Sequence, residues 1–157
     1  MSDAVELKLF VYGTLKRGGR YYDRFCRDAR SIEPARVRGR LYLAAAGYPV
    51  LIVPRFAVLA SGSADPVADL SAQSSVPVPR VSAEDAEENV IGELMTFGDP
   101  QARLAAFDEL EDFHPGGSSL YARVLLAVRR HASDEPVAAW AYVEGNRLRA
   151  AGSRYRR

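Results

Sequence analysis

The 157-residue chain holds one cysteine, Cys26. No disulfide can form within it, and a reducing compartment, the cytoplasm, is the expected setting. Histidine is almost as scarce: His114 and His131 lie in no Cys–His or metal-ligand pattern. Cys26 is therefore expected to pack as a small apolar residue and not to act as a nucleophile, and no metal is expected. Lysine occurs only as Lys8 and Lys16, arginine supplying the rest of the basic side chains. The 21 basic and 20 acidic residues leave a formal charge of +1, which removes the bulk-charge argument for nucleic acid or an anionic membrane. No apolar run is long enough to span a bilayer. Met1–Glu6 lacks the basic region and apolar core of a signal peptide, so none is expected.

What is present is ordinary for a folded chain: 48% hydrophobic and 26% charged residues, enough for one domain over 1–157 with its own core. Apolar runs bounded by breakers predict strands over Glu6–Tyr12, Val37–Ala44, Tyr48–Val53, Phe56–Leu59, Val90–Phe97, Tyr121–Arg129 and Val137–Glu144. In the second, Val37, Gly39, Leu41 and Leu43 share one parity and Arg36, Arg38, Arg40 and Tyr42 the other, with Gly39 suited to a bulge or close contact. A short amphipathic stretch, Tyr21 to about Ala29, is broken by Ser31–Pro34. Asp99 and Pro100 open a helix, as cap and first-turn residue, that runs to about Asp112 or Phe113 before Pro115-Gly116-Gly117. From about 61 to 88 the composition turns to Ser, Ala, Pro and Asp with little periodicity, the mark of a flexible insertion. Strands dominate and helices are few, which reads as an α+β domain around a mixed or closing sheet.

Two places carry candidate chemistry. The first strand ends in Tyr12-Gly13-Thr14-Leu15. Backbone N–H groups beyond the last strand pairing can form an anion-binding nest, Gly13 lets the chain approach a ligand, and Thr14 adds a hydroxyl. An ordinary strand end is the plainer account. The second place is Glu111: at about 100° per residue, Phe107 and Glu111 fall within roughly 60° of Leu104 on the apolar stripe of the helix. Asp108 lies near that face, while Glu109 and Asp112 point further toward solvent. A carboxylate turned inward must be paired, hydrogen-bonded or protonated. Desolvation raises its pKa toward the range useful for proton transfer. A salt bridge to Arg123 or to one of the Arg-rich strands, or a place at a frayed helix end, is the competing account.

Taken in order, Tyr12-Gly13-Thr14-Leu15, Val37-Arg38-Gly39-Arg40-Leu41-Tyr42, Gly47-Tyr48-Pro49-Val50, Val90-Ile91-Gly92-Glu93-Leu94, Phe107-Asp108-Glu109-Leu110-Glu111, Tyr121-Ala122-Arg123-Val124 and Trp140-Ala141-Tyr142-Val143 resemble the γ-glutamylcyclotransferase-like (AIG2-like) family. The resemblance implies a small β-barrel-like mixed sheet with flanking helices. It also implies an enzyme, a cyclising transferase or lyase, that splits a γ-glutamyl amine or amino acid to 5-oxoproline and free amine without a cofactor. Its catalytic glutamate falls on Glu111, with Glu109 as the rival under a two-residue slip. The Gly13, Thr14 and Leu15 amides would then hold the substrate α-carboxylate or the developing oxyanion, with Tyr12 and Tyr121 closing the site. Asp112 stands where members of the family often carry glycine. The partner implied is a small γ-glutamyl compound of unranked identity, with oligomeric state left open. A module on the same fold that only binds a small carboxylate or peptide end is the alternative. Nucleic-acid binding through Arg36, Arg38 and Arg40 is the weaker third, since no aromatic stacking motif accompanies them.

Overall fold

The computed structural model describes residues 5–13, 26–44, 47, 49–79, 89–133 and 135–150. Along the chain run β1 (Leu7–Val11), β2 (Ser31–Arg38), β3 (Arg40–Leu43), β4 (Pro49–Ile52), a 3-10 turn (Arg55–Ala57), β5 (Val58–Ser61), α1 (Pro66–Ser75), β6 (Asn89–Phe97), α2 (Pro100–Leu110), β7 (Tyr121–Arg130), β8 (Pro136–Glu144) and α3 (Asn146–Ala150). The strand order is β2-β6-β1-β8-β7-β5, and a further β2–β7 pairing joins the ends. Five strands thus close into a barrel and β5 extends the β7 side; β1 and β8 are parallel, the remaining neighbours in this sheet antiparallel. This is the expected α+β barrel-like mixed sheet with flanking helices.

Period-two alternation serves both faces of the barrel wall. On β8, Ala139, Ala141 and Val143 join Phe10, Val37, Leu94, Val124 and Leu126 in one apolar group, supplied by strands and filling the lumen. Ala138, Trp140 and Tyr142 face outward into a second group with Leu7, Leu9, Phe97 and the helical residues Leu70, Leu104, Phe107 and Leu148. Phe97 and Phe107 meet edge to face with ring centroids 5.6 Å apart, which seats α2 on β6.

Several expectations are corrected. The run Val37–Ala44 is not one strand: Gly39, at φ 156°, divides it, and β3 pairs with β4 in a separate two-stranded sheet. A Cβ at Gly39 would lie 2.8 Å from the Ile52 carbonyl oxygen, so the close approach needs glycine. The parity fails beyond that point, and Leu41 is 43% exposed. Ser31–Pro34 is not a breaker but the start of β2, Pro34 lying opposite Glu93. Phe56 and Ala57 belong to the 3-10 turn, and β5 starts at Val58.

The stretch expected to be a flexible insertion contains α1. Asp65 caps it, its carboxylate accepting from the Val67 and Ala68 amides at 3.1 and 3.2 Å, and Pro66 occupies the first turn. Asp69, Leu70 and Gln73 form its buried face. Gln73 bonds the β1 backbone twice, Nε2 donating to the Glu6 carbonyl at 2.8 Å and Oε1 accepting from the Lys8 amide at 3.0 Å. These groups lie just before Leu9, whose pairing with Trp140 is the one register pair that β1 makes with β8. Residues 80–88 of that stretch, and most of the Tyr21–Ala29 stretch, lie outside the described residues.

Candidate active site

Parallel pairing puts the C-terminal ends of β1 and β8 together, and antiparallel pairing brings the start of β7 beside them. Gly13 leaves β1 there at φ 71°, and a Cβ at that position would stand 2.8 Å from Pro49 Cγ. Both the backbone angle and the contact exclude larger residues. The Pro49 carbonyl accepts from the Tyr121 hydroxyl at 2.8 Å, and the Tyr121 amide donates to the Glu111 carbonyl at 3.3 Å. A continuous line of contacts therefore links Gly13 to Glu111 through Pro49 and Tyr121. The Tyr12 hydroxyl donates to the Tyr142 carbonyl at 2.5 Å and accepts from the Leu51 amide at 3.2 Å, tying β1, β8 and β4. Both tyrosine hydroxyls are thus engaged with backbone. Thr14 and Leu15 lie outside the described residues.

Glu111 sits where α2 ends. Its amide donates to the Phe107 carbonyl, that of Asp112 to Glu109 and that of Phe113 to Asp108, a Schellman closure that requires a left-handed residue just past the cap. Asp112 takes that conformation at φ 55°, the one described non-glycine residue with positive φ. A glycine at this position would adopt it without strain. The expected helix start is half right: Pro100 is in the first turn, but the Asp99 carboxylate makes no cap and instead takes Arg103, at 3.2 and 3.0 Å.

The helical face is as the spacing predicts, with Leu104 and Phe107 buried, Glu109 exposed and Glu111 half-buried. Burial alone pushes the Glu111 carboxyl up to about 7. Of the competing accounts, a bridge to Arg123 does not form, while the place at the helix end does hold. Arg123, 2% exposed, gives its guanidinium to two other carboxylates. Nε donates to Asp108 Oδ1 at 2.8 Å and Nη2 to Asp108 Oδ2 at 3.2 Å, while Nη1 donates to Asp69 Oδ2 at 2.9 Å. Its charge also lies 5.2 Å from the Phe113 ring centroid and 4.9 Å from that of Trp140. Burial by itself would depress the Arg123 pKa, but Asp108, Tyr142 and Asp69 outweigh it and hold it raised. The Tyr142 hydroxyl donates to Asp108 Oδ1 at 2.6 Å. Burial, then Asp108, and further down Glu111, push this phenol well above its ordinary value.

Sequence reasoning missed Asp69 and Tyr142. Tyr142 looked like one residue of a strand face, which it is, but that face meets α2. For Asp69 a signal existed: Asp65-Pro66 followed by apolar Val67 and Leu70 is the same Asp-Pro opening that marked a helix start at Asp99-Pro100. Cys26 is fully buried, and burial pushes its thiol up to about 12, the surroundings of a packing residue. Among the described residues no cluster of three or more His, Cys, Asp or Glu could hold a metal, and no helix is long and apolar enough to cross a membrane. A cavity of about 460 Å³, lined by Arg38, Arg40, Tyr42 and Phe56 among others, contains none of the residues around Glu111.

A five-strand barrel flanked by helices, with a glycine turn after the first strand and a desolvated carboxyl at a helix end, defines a small α+β protein. No curated protein matches the sequence significantly. The sequence pattern of one family does, over residues 9–64 and 66–156, and its description is "Gamma-glutamyl cyclotransferase, AIG2-like". The chain belongs to that family. Solved structures agree in fold. At5g39720.1 of Arabidopsis thaliana superposes with a TM-score of 0.57 at 17% identity, over 92% of this chain and 72% of that one. YkqA of Bacillus subtilis gives 0.53 at 17% identity, over 89% of this chain and 37% of its own length.

Proposed function

We propose that the protein is a γ-glutamyl cyclotransferase-type enzyme that converts a γ-glutamyl amine or amino acid to 5-oxoproline and the free amine, with Glu111 as its proton-transfer group. One observation carries this: a desolvated carboxyl that no ion pair or hydrogen bond with a described residue claims, although a buried guanidinium is held one turn away. Such a carboxyl exists in both protonation states near pH 7. A single group can then accept a proton and return one within the same turnover.

The substrate's α-amine must be neutral to attack. Glu111 takes its proton as the nitrogen bonds to the γ-carbonyl carbon, giving a five-membered ring with the charge on the carbonyl oxygen. Collapse of that intermediate breaks the original C–N bond, and Glu111 delivers the proton to the departing nitrogen. Ring closure within one molecule needs the glutamyl chain held folded more than it needs a strong base. We assign Gly13, with Thr14 and Leu15 beyond it, to the substrate carboxylate or the developing oxyanion. Tyr12 and Tyr121, whose hydroxyls brace the backbone around Pro49 and Leu51, form the wall.

The test is 5-oxoproline release from a panel of γ-glutamyl amines and amino acids by wild type and Glu111→Gln. The isosteric amide cannot cycle a proton, so kcat should fall by about 10²–10⁴-fold while the circular dichroism spectrum is unchanged. Turnover by Glu111→Gln at the wild-type rate would overturn the assignment. Binding of small carboxylates with no turnover of any substrate in the panel would replace the enzyme with a binding module.

A further inference from the structure

We propose that Asp69 and Asp108 are positioning residues for Glu111: between them they saturate the Arg123 guanidinium and so leave the Glu111 carboxyl without a cationic partner among the described residues. The inference rests on Glu111 being the group that moves the proton. Its ground is geometric. Arg123 is the one cationic residue buried among the described residues, it lies on the outward parity of β7 with Tyr121 and Leu125, and Glu111 follows Asp108 by three positions, at the C-terminal cap of the same helix. A lone guanidinium there would be drawn to whichever carboxylate it could reach.

Two carboxylates prevent this from opposite sides. Asp108 holds the guanidinium by a two-bond fork and Asp69 takes the next N–H, while the Ser63 carbonyl accepts from Nη2 at 3.3 Å. The planar fork of arginine fits such multiple acceptors. Phe113 and Trp140 pack near the guanidinium and restrict its swing. Asp69 is itself fixed, accepting from the Ser63 amide at 3.0 Å and hydroxyl at 2.8 Å. Two carboxylates thus face one guanidinium, whose charge is matched within the cluster and does not promote ionisation of Glu111.

The titratable and charged groups on the elements around Glu111 are Tyr142 on β8, Arg123 and Tyr121 on β7, Tyr12 after β1, Asp69 on α1 and Asp108 on α2. Asp112 follows, bonded to His114 at 2.6 Å and paired with Arg147. Of these, Asp69 is the informative one to change. It makes no hydrogen bond or ion pair with Glu111, its carboxylate being taken by Ser63 and Arg123, so its effect on Glu111 is carried by the charge of the cluster.

The experiment follows the Glu111 carboxyl by ¹³C NMR in the full chain with labelled glutamate, using Glu111→Gln to assign the resonance. Removing a negative charge, or leaving Arg123 less fully neutralised, favours ionised Glu111. Its titration midpoint should therefore fall by about 0.5–1 pH unit in Asp69→Asn and by more in Asp108→Asn. Asp69→Glu, which keeps the charge, should stay near wild type. A purely structural role would lower stability and leave the midpoint in place. Unmoved midpoints in the folded asparagine variants, or an equal fall in Asp69→Glu, would overturn the proposal; should Asp69→Asn fail to fold, Asp108→Asn decides alone. The readout needs no turnover. A moved midpoint in a protein that releases no 5-oxoproline would keep this assignment and remove the reaction, and an unmoved one beside intact turnover would do the reverse.

Discussion

The two faces of the barrel wall come from the same strands, yet they hold different kinds of interior. The lumen is built of small and aliphatic side chains such as Ala139, Ala141, Val143, Val124 and Leu94, with Phe10 among them. The outer face, under α1 and α2, buries Arg123 with Asp69, and Tyr142 bonded to Asp108. The difference teaches where acid–base chemistry can be placed in so small a fold. Buried charge needs several partners with correct geometry, and here it is the helices that carry the carboxylates to the strand-borne guanidinium. The side of the wall that has helices is the side that can support a site.

The sharpest way to break this contrast is Arg123→Met, which leaves Asp69 and Asp108 without their countercharge. Urea unfolding should show a loss of about 3–5 kcal/mol. Leu94→Ala, on the lumen face, should cost about 2–5 kcal/mol through an unfilled cavity and leave the rate per folded molecule at the wild-type value. Equal losses of activity in both variants would erase the distinction between the faces.

A smaller effect comes from Glu111 and depends on pH. Its carboxyl is raised from 4.5 to about 7 in the folded protein, so the fold holds this proton more tightly than the unfolded chain does. The associated stability is fully present below about 4.5 and is lost as pH rises through about 7. Glu111→Gln stays neutral throughout. It should be more stable than wild type at pH 8 by about 1–3 kcal/mol, with most of the gap gone at pH 4, measured as urea midpoints at the two pH values. A gap that does not change with pH would show that the carboxyl is solvated.

The smallest change is Asp112→Gly. It relieves a left-handed residue at φ 55° and forfeits exposed contacts, a hydrogen bond with His114 and an ion pair with Arg147. With such pairs worth little, the net gain should be about 0.5–1 kcal/mol, a rise in Tm visible by calorimetry. A fall in Tm would mean that the carboxylate contacts at the helix end outweigh the backbone strain.

Most strands were legible because alternation and breakers are local signals; β6, β7 and β8 lie within a residue or so of their expected ends. The inward turn of Glu111 was legible for the same reason, since helical period fixes a face before any partner is known. Legibility failed where the chain leaves one sheet for another. Alternation across Gly39 looks continuous in one dimension although β2 and β3 belong to different sheets. It failed again over 61–79, where serine and proline content masked a capped helix that buries only Asp69, Leu70 and Gln73.

By itself the sequence determined the α+β class, the glycine turn after the first strand and a glutamate on the apolar stripe of a helix, because periodicity, capping and backbone freedom act over a few residues. Only the tertiary structure decided which carboxylates receive the guanidinium. Arg123 lies 15 positions from Asp108 and 54 from Asp69, and no local pattern ranks such distant partners. Closure of the barrel and the seating of two helices on its outer face bring the three together, and that pairing keeps the Arg123 guanidinium from Glu111.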